Sequence, residues 1–234
     1  MPGKRYAQAA QLVDPKTSYS LEDAVGLLDR MPKTKFDETV EVSASLNIDP
    51  KKSDQLVRGT VTLPHGTGKA RRVLVFCKGE NELKAREAGA DYVGAAELIE
   101  KINGGWLDFD VAVATPEMMR DVSKLGKILG PRGMMPNPKI GTVTEDVAKA
   151  IKDVKGGKVE FKMDKLANIH FVIGRRSFKA EQLVDNGRVA LRAIGRARPS
   201  TLKGKMLRRL SLSSTMSPGI PLKSDGLEVE AEET

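Results

Sequence analysis

The sequence has few cysteines, histidines and aromatic residues, and each shortage excludes a kind of site. The one cysteine, Cys77, rules out a disulfide framework; because it lies in an apolar run, we expect a buried strand residue rather than a nucleophile. The two histidines, His65 and His170, are far apart and form no set of ligands at a recognised metal spacing. We therefore expect no metal and no cofactor.

Long hydrophobic runs are also missing. No apolar stretch approaches the roughly 18 residues that a membrane helix needs, and the first residues lead into no hydrophobic signal segment. The sequence therefore predicts a cytoplasmic protein with no membrane partner.

The residues that a nucleotide-binding enzyme needs are incomplete. The segment 65–70 (HGTGKA) is similar to a phosphate loop, but Leu63 stands where the first glycine belongs and Ala70 where serine or threonine follows the lysine. Arg71 replaces the third glycine of a dinucleotide fingerprint. Carboxylate pairs such as Asp108 and Asp110 are expected to be solvated at a strand edge. We predict that the chain is not an enzyme.

Basic residues exceed acidic ones, and the excess is concentrated in the body of the chain. Lysine and arginine number 39 against 31 acids, giving +8. The last eleven residues hold five carboxylates and no base, so residues 1–223 carry +13. A basic body favours a nucleic-acid partner, because each cation placed on a phosphate releases counterions. With 4% aromatic residues, recognition should depend on the phosphates and 2′-hydroxyls of structured RNA rather than on stacked bases.

Hydrophobic periodicity changes twice along the chain. A capped helix is predicted over 21–31 and a half-buried strand over 39–46. Between about 69 and 157, strands alternate with helices, which is typical of a parallel sheet covered on both faces. Antiparallel character returns after Gly157, with strands at 158–163, 169–173 and 207–215 and a helix at 179–197.

This order predicts a mixed α/β and α+β fold. Residues 1–66 and 158–223 should form a discontinuous α+β domain with an antiparallel sheet. Residues 67–157 should form an inserted three-layer α/β (Rossmann-like) domain, and the two crossings between them would act as a hinge. The acidic segment 224–234 is predicted to be a disordered tail.

Two further clusters of cations are open to two interpretations. In the loop 130–139, Arg132 and Lys139 offer donors while Met134 and Met135 offer apolar contact, but the loop could equally cap a core. Arginines at 188, 192 and 196 form a helical stripe suited to phosphates or simply to solvent.

Five segments carry a resemblance to a known family. The longest is 129–139 (LGPRGMMPNPK), followed by Gly141-Thr142-Val143. The others are 35–41 (KFDETVE), 58–69 (RGTVTLPHGTGK), 88–94 (AGADYVG) and 108–116 (DFDVAVATP). Together they resemble the bacterial-type ribosomal large-subunit protein L-one family over roughly residues 1–222.

The resemblance implies both a fold and a function. The fold is a two-domain protein in which an α/β domain interrupts an RNA-binding domain. The function is that of a structural component of the large ribosomal subunit that binds 23S rRNA at the mobile stalk near the tRNA exit site, assists release of deacylated tRNA, and represses translation of its own mRNA. The alternatives are a free-standing RNA-binding repressor and a nucleotide-dependent α/β enzyme.

The resemblance also implies the RNA-contacting residues, which lie in three segments of the chain. One departure stands out, because Ser217 occupies a position where the family usually has glycine. The implied contacts are Lys35, Phe36, Thr39, Glu41, Asp164, Lys165, His170, Ser211, Ser213, Thr215, Met216 and Ser217. From the cations of the 130–139 loop themselves, we predict Arg132 and Lys139 as secondary contacts.

Overall fold

The computed structural model describes residues 3–202 and 204–224, and within them it leaves out the side chains of Ser53 and Lys139. The chain divides into two compact units. Unit 1 contains the described residues up to Gly68 and from Val159 onward, and unit 2 is Lys69–Lys158. Apart from Ser224, the predicted disordered tail lies outside the described residues.

Helices and strands are numbered separately, each in chain order. The helices are α1 (Lys4–Gln11), α2 (Leu21–Arg30), α3 (Glu80–Glu87), α4 (Ala96–Asn103), α5 (Met119–Val122), α6 (Gly126–Leu129), α7 (Val147–Lys155) and α8 (Ala180–Arg196). The strands are β1 (Thr39–Leu46), β2 (Arg58–Thr62), β3 (Val73–Phe76), β4 (Tyr92–Gly94), β5 (Val111–Ala114), β6 (Lys158–Lys162), β7 (Asn168–Arg175), β8 (Leu207–Ser214) and β9 (Ile220–Leu222). Short 3-10 helices occupy Ser53–Gln55, Pro116–Met118, Ser123–Leu125 and Pro138–Ile140.

Unit 1 is built on a four-stranded sheet with the order β7-β1-β8-β9, in which the neighbouring strands are antiparallel. Along β1 the side chains alternate strictly between half-buried and buried, as expected for a strand with one covered face. Helices α2 and α8 supply the cover, and their apolar sides share one core with the sheet. Strands β2 and β6 form a separate two-stranded sheet.

Two features fix the start and path of the helices in unit 1. Ser20 caps α2, because its hydroxyl accepts a hydrogen bond from the Asp23 amide at 3.1 Å. In α8, the fully buried Asn186 side chain donates to the carbonyls of Gly66 and Ile173, at 3.0 and 2.7 Å. Those two bonds tie the helix both to strand β7 and to the segment that follows β2.

Unit 2 contains a three-stranded parallel sheet with β3 in the centre. Every residue of β3 is buried, because helices cover both faces. Leu74 and Phe76 pack on one side with α4 and the 116–129 region, while Val73 and Val75 pack on the other side with α7. The apolar run therefore forms the middle layer of three, and the mixed α/β and α+β fold class is confirmed.

The proline- and glycine-rich loop after α6 is partly a structural element of unit 2. Met134 and Met135 pack against the core on one side of the parallel sheet. Thr142 closes the loop, since its hydroxyl accepts from the Asn137 amide at 2.8 Å, and the next residue, Val143, bridges to Ala114 of β5. These contacts support the core-capping interpretation for the two methionines, while Pro131, Arg132 and Gly133 remain exposed at the tip.

Candidate nucleic-acid interface

The face of the four-stranded sheet that α2 and α8 leave uncovered is lined by small polar side chains. On β1 these are Thr39, Glu41, Ser43 and Ser45, all half-buried. The interstrand register places Ser213 opposite Glu41 and Ser211 opposite Ser43. Because adjacent strands lie roughly 5 Å apart, their hydroxyls form rows at that spacing. We call this surface the open face.

The middle of the open face brings together residues of three strands. Ser43 lies opposite His170 of β7 on one side and Ser211 of β8 on the other. The Ser43 hydroxyl is 2.9 Å from Nδ1 of His170. The exposed imidazole is thereby held beside two hydroxyls, and the row offers both donors and acceptors to a ligand.

One end of the open face gathers six of the sequence-predicted contacts. The Thr39 amide donates to the Thr215 hydroxyl at 3.0 Å, and the Thr215 amide donates to the Thr39 carbonyl at 3.1 Å, which ties the start of β1 to the turn after β8. Lys35 and Phe36 lie in the loop that leads into β1, and Phe36 is 54% exposed. Met216, in the turn, is 51% exposed. Two large apolar side chains therefore project beside a polar face.

Ser217 is accommodated without strain in this turn. Among the described residues other than glycine, only Ala167 has a positive φ, so the backbone at Ser217 does not require glycine. The Ser217 hydroxyl accepts from the Ser214 amide at 2.8 Å. The serine therefore stabilises the turn from within the chain.

A buried network holds this end of the open face in place. Glu38 is 1% exposed and accepts hydrogen bonds from Arg5 at 3.2 Å, from Arg176 at 3.3 Å and from the Ser214 hydroxyl. Burial works to raise the pKa of the Glu38 carboxyl, but the hydrogen bond from Ser214 and the charge of Arg176 help to outweigh it, and the pKa is lowered. Glu38 is therefore a positioning residue for its neighbour Thr39.

Arg5 extends this network to the turn. Its guanidinium also donates to the carbonyl of Met216 at 3.4 Å. Helix α1, which the sequence analysis did not predict, thus reaches both the buried carboxylate and the turn that carries Met216.

Asp164 and Lys165 lie at the opposite end of the open face. Asp164 begins the turn before β7, and its carboxylate accepts from the amides of Leu166 and Asn168 at 2.8 and 2.7 Å. The Asn168 amide bond is the largest of the causes that lower the pKa of Asp164. The carboxylate is thus engaged in forming the turn, whereas Lys165 is exposed.

The two secondary contacts belong to unit 2. Arg132 is exposed at the tip of the 130–139 loop. Lys139 lies in the 3-10 helix Pro138–Ile140, and its side chain lies outside the described residues. Both residues lie in unit 2, whereas the strands of the open face belong to unit 1.

The carboxylates tested as catalytic candidates are engaged in ion pairs. Asp110 accepts from Lys69 at 2.7 Å and from the Arg72 amide at 3.0 Å, and these bonds lower the pKa of its carboxyl. Arg72 also pairs with Asp108. The expectation of simple solvation was therefore incomplete for both aspartates, because they fasten the start of β3 to the start of β5.

The arginine stripe on α8 is likewise partly engaged, since Arg188 pairs with Glu22 at 2.6 Å. Within the described residues, no group of three or more histidine, cysteine, aspartate and glutamate side chains is placed to hold a metal ion. Over the same residues, no helix is both long and apolar enough to cross a membrane.

Two residues of the open face were missed by the sequence analysis. Asn168 on β7 and Arg209 on β8 both lie opposite Ser45. The alternation of β1 did identify Ser43 and Ser45 as polar-face residues, and that signal could have placed them in the site. Arg209 gave no such signal, because its position depends on pairing between distant strands.

A sheet face lined by hydroxyls, with cations at its ends, offers the hydrogen-bonding groups and the positive charge that contact the phosphates and sugars of nucleic acid. Comparison with known proteins identifies the family. Residues 27–218 match the model of the ribosomal protein L1p/L10e family. The chain belongs to that family.

Relatives in three bacteria match nearly the whole chain, and each is named large ribosomal subunit protein uL1. The protein of Protochlamydia amoebophila is 52% identical over 100% of this chain and 99% of its own length. Those of Saccharopolyspora erythraea and Cutibacterium acnes are 54% and 56% identical over 94% of this chain, and over 92% and 94% of their own lengths. Membership of a family of ribosomal proteins confirms the prediction that the chain is not an enzyme.

Proposed function

We propose that this protein is a structural component of the large ribosomal subunit that binds 23S rRNA at the mobile stalk near the tRNA exit site, and that it acts on the ribosome in the cytoplasm. The assignment to the large subunit is supported by relatives that match nearly the whole chain and are named large ribosomal subunit protein uL1. The observation that carries RNA binding is the open face, on which hydroxyls of β1 and β8 stand side by side at a fixed register.

The chemistry of the open face suits RNA more than DNA. A hydroxyl can both donate to and accept from a ribose 2′-hydroxyl, which DNA lacks. Glu41, in the row with Ser213, adds a carboxylate that can accept from a 2′-hydroxyl or an exocyclic amine. Cations at the ends of the face, such as Lys35 and Arg175, would meet phosphates. Phe36 supplies one exposed ring for stacking.

We further propose a division of roles along the chain. Residues 1–66 with 158–223 form the RNA-binding domain, since the open face and its supporting network lie in that part. Residues 67–157 form the inserted α/β domain. Within the RNA-binding domain, the site consists of Lys35, Phe36, Thr39, Glu41, Asp164, Lys165, His170, Ser211, Ser213, Thr215, Met216 and Ser217. Arg132 and Lys139 of the inserted domain make secondary contacts.

The proposal includes two further roles, and the family resemblance motivates both. On the ribosome, the protein assists release of deacylated tRNA. Off the ribosome, it represses translation of its own mRNA, which would offer the open face a structure similar to the rRNA stalk. A free-standing repressor is the competing function; such a protein would not co-sediment with large subunits in high-salt gradients.

The test is binding of the purified protein to the stalk fragment of 23S rRNA and to a control duplex of equal length across a salt series. Preference for the stalk fragment at every salt concentration is the expected result, because a shaped site discriminates even where phosphate contacts are screened. Equal and steeply salt-dependent binding to both RNAs would reduce the open face to a generic basic surface.

A further inference from the structure

A cleft of about 600 Å³ lies at the outer edge of the four-stranded sheet, beside the edge strand β9. Its walls come from the start of β8, from β9 and the residues after it, and from the segment that precedes Tyr19. Three cations line it, Arg208, Arg209 and Lys223, together with the hydroxyls of Ser18 and Ser211. Among the described residues, no carboxylate and no aromatic ring belongs to the lining.

The three cations are available to a ligand. All are exposed, and none has a hydrogen-bond acceptor or an ion-pair partner among the described residues. This contrasts with Arg5, Arg72 and Arg188, which pair with carboxylates within the chain. Three like charges around one concave surface repel one another, so an anion seated among them would relieve that repulsion.

A β-bulge in β8 places Arg208 and Arg209 side by side at the cleft. Arg209 lies opposite Ser45, whereas Leu46 lies opposite Leu207, so Arg208 is an extra residue without a partner on β1. Bulges commonly re-aim side chains at functional edges of a sheet. Here the bulge places two consecutive arginines at the same edge.

The cleft is continuous with the open face. Ser211 belongs to both, because it pairs with Ser43 on one side and with Pro221 of β9 on the other. Lys223 follows two residues after Pro221, and its amide donates to the carbonyl of Tyr19 at 2.9 Å. A strand of nucleic acid crossing the row of Ser43 and Ser211 would therefore reach the cleft next.

We propose that this cleft binds consecutive backbone phosphates of the RNA where the strand leaves the open face. The proposal rests on the RNA-binding function proposed above and extends it to a surface to which no role has been given. The ligand is a phosphodiester backbone, because the lining offers cations and hydroxyls and lacks a ring on which a base could stack.

The test compares two double variants with the wild type in the same salt series. Arg208→Gln/Lys223→Gln removes two cations of the cleft. Arg209 is left in place because it also belongs to the open face. Arg30→Gln/Arg196→Gln removes two exposed cations from α2 and α8, the helices that cover the opposite face. The probes are the 23S stalk fragment and the control duplex. Circular dichroism and the midpoint of urea unfolding check that both variants fold.

For the cleft variant, the slope of log affinity against log salt should become shallower by about two, and binding at moderate salt should weaken by about tenfold. The preference for the stalk fragment should persist, since phosphate contacts carry no sequence information. The helix variant should retain the wild-type slope.

Suppose that the wild type prefers the stalk fragment but the cleft and helix variants have equal slopes. That result would overturn the proposed role of the cleft and leave the open face as the RNA site. A wild type without that preference would overturn both proposals, and the two failures are therefore distinguishable.

Discussion

Arg176 and Glu38 face each other at 3.3 Å in the interior of unit 1, one just after β7 and the other just before β1. Their side chains are 6% and 1% exposed. Arg176 also donates to the carbonyls of Leu28 and Met31, at the end of α2. The pair therefore joins one helix and two strands directly beneath the end of the open face.

Replacement of Arg176 should destabilise the protein strongly. Arg176→Met leaves the Glu38 charge buried with fewer partners and deprives two helix-terminal carbonyls of a donor, so we expect a loss of about 3–5 kcal/mol in the free energy of unfolding. Urea unfolding measures it. Arg196→Met, at an exposed position, is the matched control and should change stability by less than about 0.5 kcal/mol. Similar values for the two variants would show that the buried pair contributes little.

The same pair makes part of the stability pH-dependent. The pKa of Glu38 is lowered in the folded protein, so its contribution is present above the ordinary glutamate pKa of about 4.3 and is lost as the pH falls through the lower folded value. Glu38→Gln removes this contribution. The stability gap between wild type and Glu38→Gln should therefore be widest near neutral pH and narrow below about pH 4. A gap that stays constant down to acid unfolding would contradict the assignment.

Phe36 and Met216 should contribute to RNA affinity without contributing to stability. Both side chains are about half exposed, so their truncation to alanine leaves the core intact. Loss of a base contact with Phe36 should cost about 1–3 kcal/mol in binding. Fluorescence anisotropy with the stalk fragment measures this loss. Leu83→Ala, at a 67% exposed position on α3 of unit 2, is the control. Unchanged affinity in folded Phe36→Ala and Met216→Ala would remove both residues from the site.

The sequence predicted the parts of the fold that depend on local periodicity. Strand β1 was predicted over its observed range, because its alternation is strict and one face is covered. Helix α1 and strand β9 were missed for physical reasons. Only Ala9 of α1 is buried, so the helix has almost no apolar stripe, and β9 contains Pro221, which normally argues against a strand.

The candidate site likewise contains residues that local sequence patterns predict and residues that they do not. The serines of β1 and β8 follow from alternation, but Arg209 reaches the open face only through pairing across more than a hundred residues of chain. The burial of Glu38 was equally hidden, since a Glu between Asp37 and Thr39 looks like a solvated loop residue. Its network depends on side chains from α1, β8 and the segment after β7, which sequence neighbours cannot reveal.

The serine hydroxyls should determine the preference for RNA over DNA. Ser43→Ala/Ser213→Ala removes one hydroxyl from each of two neighbouring strands of the open face. Each lost bond should cost about 0.5–1.5 kcal/mol toward RNA, while affinity for a DNA hairpin of the same sequence should change little. Competition binding gives the ratio of the two affinities. Ser123→Ala, on an exposed serine of unit 2, should leave the ratio as in the wild type. An equal loss toward both hairpins would indicate that the hydroxyls contact phosphates or bases instead.

The acidic segment at the end of the chain should weaken RNA binding through its charge. Residues 225–234 hold five carboxylates and no base, so a chain that ends at Ser224 changes from +8 to +13. We expect faster association and tighter binding near 0.05 M salt, with the difference fading toward 1 M, where the Debye length shrinks to about 3 Å. A full-length variant with amides in place of the five carboxylates should reproduce the effect, because it changes the charge and keeps the length. If truncation raised affinity but the amide variant did not, the segment would act by its bulk rather than by its charge.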